Sequence, residues 1–566
     1  MTAHSTLIWV ANAKRPLTVK ELQVALAIEP GTQQLDKENL LKIEIILGVC
    51  AGLVIVDEKL KVVRLVHYTT QEYVDSIQAQ LFPDAQTEIT HTLLTFLNFD
   101  GFPDSSWINS RQDLPPLVEY SQYCLAHAAG QPEVQLREIL LRFLGQAFQW
   151  MKVMRGRWNE IYNWNSPPWN YQHHLSEPSA LWIAAAANLV ETVKFLLEGA
   201  SLLQQSKNPE IIVASCYGHT EIVGILLEKG ANVNAAGEEH ESSLQIATAK
   251  GHTKIVSILL ERGADINVAE GRHGSPLQIA AARGHTDIVG ILLEKGADVN
   301  AAGGRHGSPL QIAAAQGCTE IVGILLEKGA DINAAGGEHG SSLQIATAQG
   351  HTEIVSILLE KGADINGVGV LQGSLLQIAA AKGHTEIIGI LLEKGADINV
   401  AGGRHGSSLQ IAAARGHTEI VSILLERGAD INAARGFNRS SLQFAAAEGH
   451  TEIVSILLEK GADINAAGGR HGSSLQIAAA RGHTEIVSIL LEKGADVNAA
   501  EGFDGSSLQI AAAGGHTELV SILLEKGANI NAEGGNLGTA LDIASLFGHN
   551  TIVSMLLERG ARSMIV

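Results

Sequence analysis

At 566 residues, 46% of them hydrophobic, the chain exceeds what one compact core usually holds and implies several structural units. A formal net charge of −20 and a pI near 5.5 disfavour binding to nucleic-acid backbones or anionic membranes. No apolar run approaches the roughly 18 residues needed to cross a bilayer, the first ten residues lack a secretory pattern, and Cys50, Cys124, Cys216 and Cys318 are scattered without Cys-x-x-Cys spacing. A soluble, intracellular protein with free thiols is expected.

Residues 1–78 read as a small domain. Leu7–Ala11 is an apolar helical run halted near Pro16, and Thr18-Val19-Lys20-Glu21 is a capping box that starts a helix to about Ala27. Asp36 is a candidate N-cap for a third helix over Leu40–Val49. The alternating runs Leu53–Val56 and Val62–Val66 then predict a β-hairpin. Three helices and a hairpin make a winged-helix layout. The third helix mixes Lys37 and Lys42 with Glu38, Glu44 and many aliphatics, so it is expected to be buried rather than laid in a DNA groove. Lys59, Lys61 and Arg64 on the hairpin are ordinary for an exposed wing.

Here the wording resembles a known family. Ala13–Thr18, Cys50–Val54 and Arg64-Leu65-Val66-His67-Tyr68-Thr69-Thr70-Gln71-Glu72-Tyr73 are similar to the winged-helix segment that follows the NACHT ATPase in fungal NLR-like (STAND) proteins, a segment labelled after GPI inositol-deacylase. The resemblance implies a place within a signalling ATPase rather than deacylase chemistry. Because no Gly-Lys dipeptide occurs, no phosphate loop is present in this sequence and the ATPase itself is expected to be missing, or to reside on another chain.

Residues 79–175 form a connector with helical spacing over 87–98, 115–129 and 132–154. Trp107, Trp150, Trp158, Trp164 and Trp169 fall here and are read as core filling rather than a cofactor box. The region resembles the helical joint before the repeats in the same fungal proteins.

From residue 176 to 566 the sequence repeats. The leucine of a Leu-Gln-Ile-Ala signature stands at 244, 277, 310, 343, 376, 409, 442, 475, 508 and 541, every gap being 33. Two degenerate units, from Leu181 and Ile211, precede these ten and bring the total to about twelve. A period of 33 with a turn, a short helix and a longer helix is the ankyrin signature, so the fold expected is mostly α, an ankyrin-repeat solenoid behind a winged helix and a helical connector. In the unit from Ser275, the serine caps the first helix and Gly284 ends it, while Thr286 and Asp287 suit the start of the second. Leu277, Ile279 and Ala280 point inward. The family's usual Thr-Pro-Leu-His appears here as Ser-Ser/Pro-Leu-Gln, and glutamine can still bridge by hydrogen bonds.

No Gly-x-Ser-x-Gly elbow or His-Glu-x-x-His helix occurs, and no catalytic residue, cofactor or metal is expected. The histidines recurring once per repeat, His219 to His549 with Cys318 in one place, are spread along an array and cannot converge on one ion. Function is therefore expected in protein binding, through the concave face and finger tips, without nucleic acid or membrane. The sensor part of a fungal NLR-like receptor is the first reading; a regulatory subunit docking on a separate NACHT ATPase is the alternative, and a DNA-binding regulator ranks last. Variation is concentrated at two places. One is the residue after the three small residues of the first helix: Lys250, Arg283, Gln316, Gln349, Lys382, Arg415, Glu448, Arg481 and Gly514. The other is the finger, where Leu371, Phe437 and Phe503 alternate with Arg404 and Arg470, and where Asn438, Arg439 and Asp504 replace the usual residues. These finger residues are the candidate binding positions.

Overall fold

The computed structural model describes residues 2–99, 116–158, 178–198, 209–237, 241–269, 274–301, 307–334, 340–366, 373–400, 406–433, 439–466, 472–500, 505–533 and 538–563. The chain divides into two compact units, Met1–Ala297 and Asp298–Val566.

In the first unit, helix α1 (Thr2–Asn12) precedes strand β1 (Leu17–Thr18) and helix α2 (Val19–Ala27). The capping box forms: Thr18 Oγ1 accepts the Glu21 N–H at 3.2 Å, and Glu21 Oε2 accepts the Thr18 N–H at 2.7 Å. Glu21 is buried, and Arg15 neutralises it with a two-pronged contact at 3.0 and 2.5 Å. The third helix starts later than expected. Asp36 caps only a single 3-10 turn (Lys37–Asn39), Leu40 to Lys42 are not helical, and helix α3 covers Ile43–Val49. Strands β2 (Val54–Asp57) and β3 (Val62–Leu65) pair as the expected hairpin, Val54 opposite Leu65. The other edge of β3 takes β1, with Leu17 opposite Val63, giving the sheet order β1-β3-β2.

Helices α4 (Tyr68–Leu81) and α5 (Ala85–Leu97) follow. The run expected to be helical over 115–129 is split into α6 (Val118–Ser121) and α7 (Cys124–Ala128), and the run over 132–154 into α8 (Gln131–Gln135) and the long α9 (Arg137–Trp158). Trp107, Trp164 and Trp169 lie outside the described residues, as do the side chains of Trp150 and Trp158.

Two buried contacts bind this helical joint to its neighbours within the first unit. The Tyr120 hydroxyl on α6 accepts the Lys14 N–H at 2.8 Å and lies 2.8 Å from His127 Nε2 on α7. Gln86 Oε1 on α5 can only accept, so His127 Nδ1–H donates to it at 2.6 Å and the neutral ring's Nε2 accepts the Tyr120 hydroxyl proton. Burial keeps His127 neutral, its pKa pushed down to about 3 with a further push from Lys14, and the same burial raises that of Tyr120. Further along, the buried Glu133 accepts the Gly130 N–H at 2.9 Å and the Thr192 N–H at 2.8 Å. It thereby satisfies an end group of Val190–Leu196, the second helix of the first repeat.

The repeats are pairs of short helices, from Ala180–Ala186 with Val190–Leu196 to Pro276–Arg283 with Thr286–Glu294 in the first unit, and from Pro309–Gln316 with Thr319–Glu327 to Ala540–Leu546 with Asn550–Glu558 in the second. The unit at 407–427 shows why the sequence folds this way. Ser407 Oγ accepts the Gln410 N–H at 3.3 Å, and Gln410 Oε1 accepts the Ser407 N–H at 2.6 Å, so the first helix opens on a reciprocal cap. Leu409, Ala412 and Ala413 are at most 1% exposed, and the alanines allow close approach of stacked first helices. The helix ends at Gly416 with φ +78°, a left-handed position. The second helix buries Ile420, Val421 and Leu424. As expected, the threonine starts this helix: Thr418 is its first residue, and His417 occupies the N-cap with no side-chain bond. The Thr418 hydroxyl donates to Glu452 Oε2 of the next repeat at 3.4 Å.

Candidate protein-binding surface

In most typical repeats three side chains are committed to the neighbours; Cys318 replaces the histidine of one repeat, and His285 Nε2 has no hydrogen-bond partner among the described residues. Gln443 Nε2 donates to Gly472 O at 2.7 Å while its Oε1 accepts the Ser440 N–H at 2.6 Å. His450 Nε2 lies 3.3 Å from Ala414 O of the preceding repeat, and the Asp463 N–H donates to Asn432 Oδ1 at 2.9 Å. The same three bonds recur around Gln509, His549 and Asn498. The histidine ladder thus supplies donors to first-helix carbonyls that have no partner within their own helix. Burial lowers the pKa of His417 and of His219, which favours the neutral ring. In the last repeat Asp542 replaces glutamine: its Oδ2 accepts the Thr539 N–H at 2.9 Å and its Oδ1 accepts the Ser563 hydroxyl at 2.7 Å.

With the frame so occupied, what remains for recognition is the exposed rim. The residue after the three small residues of each first helix is exposed in every typical repeat, from Lys250 and Arg283 in the first unit to Lys382, Arg415, Glu448 and Arg481 in the second. Cations there complement the helix dipole, and Glu448 opposes it.

Of the finger positions singled out in the sequence, Leu371, Arg404, Phe437, Asn438, Arg470, Phe503 and Asp504 lie outside the described residues. Arg439 is described. Its carbonyl accepts from Gln410 Nε2 at 2.6 Å, and its guanidinium sits 6.0 Å from the centre of the Phe444 ring. In most other repeats this position is glycine at φ +76° to +85°, as in Gly307, Gly406 and Gly505, although Glu241 holds it in one, and a Cβ on Gly373 would collide with Gln377 Oε1. Phe444 itself went unnoticed in the sequence. It stands where every other typical repeat has isoleucine, and it is half-buried where those isoleucines are 4% to 9% exposed. The change from Gln-Ile-Ala to Gln-Phe-Ala at 443–445 was the available signal.

The winged helix presents a different surface. Only Ile46 of α3 is buried, whereas Ile45 and Val49 are 50% and 44% exposed, and Leu53 and Val66 are also exposed. This corrects the expectation of a mostly buried helix: its second apolar face has no cover among the described residues. Aliphatic side chains on that face do not read base edges, which require hydrogen-bonding groups. On the wing, Arg64 Nε donates to Asp57 Oδ2 at 3.2 Å, turning one of the three wing cations toward a carboxylate.

Among the described residues no helix is long and apolar enough to cross a membrane, and no three His, Cys, Asp or Glu side chains converge as metal ligands would. No curated protein matched the chain by sequence. Residues 1–81 match the family model described as the GPI inositol-deacylase winged helix domain. The model described as ankyrin repeats in three copies matches residues 165–237, 181–270, 244–336, 335–402, 376–468, 409–501 and 475–565. With its paired helices, glycine stops and inter-repeat ladders, the chain belongs to the ankyrin-repeat family, a protein-interaction fold.

Proposed function

We propose that this protein is a non-enzymatic recognition module, the sensor part of a fungal NLR-like receptor acting in the cytoplasm. Residues 1–78 and 79–175 would be the winged helix and joint that couple residues 176–566 to a signalling ATPase. The observation that carries the binding reading is the split between frame and rim. Leucine, glutamine and alanine recur at the buried and ladder positions, while the exposed helix ends change from Lys382 to Glu448 to Arg481. A frame kept constant under a varied rim is what a binding surface built from repeats requires. The test is affinity purification of the full chain from native extract, followed by identification of what it retains. A protein partner that competes with antibodies against the repeats supports the reading; a chain that retains no protein above a scrambled-rim control contradicts it.

The exposed face of α3 favours a second reading, in which the chain is a regulatory subunit of a separate NACHT-type ATPase. Ile45, Val49, Leu53 and Val66 would dock on that ATPase. Co-purification of a nucleotide-binding chain, lost in Ile45→Glu, would support this over the first.

A further inference from the structure

We infer that the repeat at residues 439–448 is the recognition point of the array, and that its occupant is an acidic peptide segment bearing an apolar anchor. The inference rests on the protein-binding reading above and names the partner's chemistry. Three departures from the repeat pattern meet on one helix face. Phe444 and Glu448 are four residues apart on the first helix (Ser441–Glu448) and therefore share a side. Arg439 lays its guanidinium 6.0 Å from the Phe444 ring centre. Phe444 is half-buried, against 8% and 4% exposure for Ile411 and Ile477 in the adjoining repeats.

Stability does not explain this set. A carboxylate at a helix C-terminus opposes the dipole, by about 0.3–1 kcal/mol where a cation gains as much, so Glu448 is the one charge of the row that folding disfavours. Exchanging isoleucine for a larger ring leaves apolar surface in water that isoleucine would bury. An aromatic ring flanked by arginines is the composition of a binding hot spot.

The surrounding charge selects the occupant. Lys382, Arg415 and Arg481 hold the equivalent position in neighbouring repeats, exposed and without an ion pair to any described residue, in a chain whose net charge is −20. Carboxylates would pair with Arg415 and Arg481 on either side of an apolar side chain on Phe444, with a cationic residue toward Glu448. Stacked helices lie about 10 Å apart, so the two arginines are roughly 20 Å apart along the row. An extended chain advances about 3.3 Å per residue and would set its carboxylates about six residues apart.

The probe is a fluorescein-labelled peptide Glu-Ala-Ala-Phe-Lys-Ala-Glu, titrated against the full chain with fluorescence anisotropy. Binding should weaken by about tenfold or more when both glutamates become glutamine, and equally in the chain variants Phe444→Ile and Arg481→Gln. Glu448→Arg should reverse the preference, favouring a probe with glutamate in place of lysine. Phe444→Ile and Glu448→Arg copy residues of neighbouring repeats, and unchanged thermal melting would show that their fold is kept. Equal binding by wild type, Phe444→Ile and Glu448→Arg, or no binding by wild type, would overturn the inference. If those variants also retained the protein captured from extract, the binding function would stand and only this site would fall; a wild type that captures nothing would remove both. Salt-sensitive self-association in sedimentation, abolished by the same variants, would overturn it in favour of a second copy of this chain.

Discussion

The imidazole of His450 lies against Gly416 so closely that a Cβ on that glycine would stand 2.7 Å from Cε1 of the ring. The two residues belong to consecutive repeats, and the ring nitrogen Nε2 reaches Ala414 O on the same helix end. Gly416 is therefore required twice over: by its φ of +78° and by the ring above it. The Gly482–His516 and Gly515–His549 pairs repeat the contact at 2.7 Å.

This double requirement separates two glycines of one repeat. Gly428 also has positive φ, at +90°, but a Cβ added there would meet no atom within 4 Å. Gly428→Ala should destabilise by about 1–2 kcal/mol from backbone strain alone. Gly416→Ala adds displacement of the ring, of order 1–3 kcal/mol more. Hydrogen exchange of residues 408–426 in the full chain measures the difference, and equal effects would remove the ring from the explanation.

The glutamine row has a directional test. Gln443→Glu keeps the acceptor for the Ser440 N–H but aims a carboxylate oxygen at Gly472 O, where an amide donated. Loss of the donor with an acceptor facing an acceptor should cost about 2 kcal/mol or more. The last repeat shows the opposite case, since Asp542 meets the Ser563 hydroxyl, which donates. Asp542→Asn should therefore be mild, less than about 1 kcal/mol, because the amide oxygen can accept the Thr539 N–H while its NH2 donates to the Ser563 hydroxyl, which can rotate to accept. Local exchange at residues 441–448 and 540–546 checks both.

Such features divide by how far their causes lie along the chain. The Thr18–Glu21 box, the Val54–Leu65 hairpin and the Ser–Gln caps were readable because their partners lie close in sequence. The start of α3 was misplaced because Asp36 caps a competing 3-10 turn, which the same local pattern permits. Thr418 was readable as the start of its helix, whereas the His417 N-cap was not, because its ring packs on the preceding repeat. The Lys14–Tyr120–His127–Gln86 network had no sequence signal, because its members come from separate elements brought together only by packing. At the candidate surface, Glu448 was legible as an exception in a row, while Phe444 was hidden among apolar residues whose exposure sequence does not report.

The first unit should lose stability in mild acid through His127. Its folded pKa of about 3 is below the ordinary 6.5, so the unfolded chain binds the proton first. The contribution is intact above pH 6.5 and falls as pH drops toward 3, with a slope approaching about 1.4 kcal/mol per pH unit. Exchange protection of residues 85–97 and 118–128 should decline between pH 6.5 and 5. In His127→Gln, which cannot titrate, the decline should be flatter.

The central claim is that stability resides in the constant frame and recognition in the exposed rim of the repeats. The most direct measurement compares the full chain with one carrying Lys382→Gln, Arg415→Gln and Arg481→Gln, by thermal melting and by quantified capture of protein from native extract. Each change removes a helix-end cation worth at most about 1 kcal/mol, so melting should remain cooperative and close to wild type. Capture should fall by at least about tenfold. Unchanged capture with an unchanged melt would contradict the account, because the varied rim would then serve neither stability nor binding.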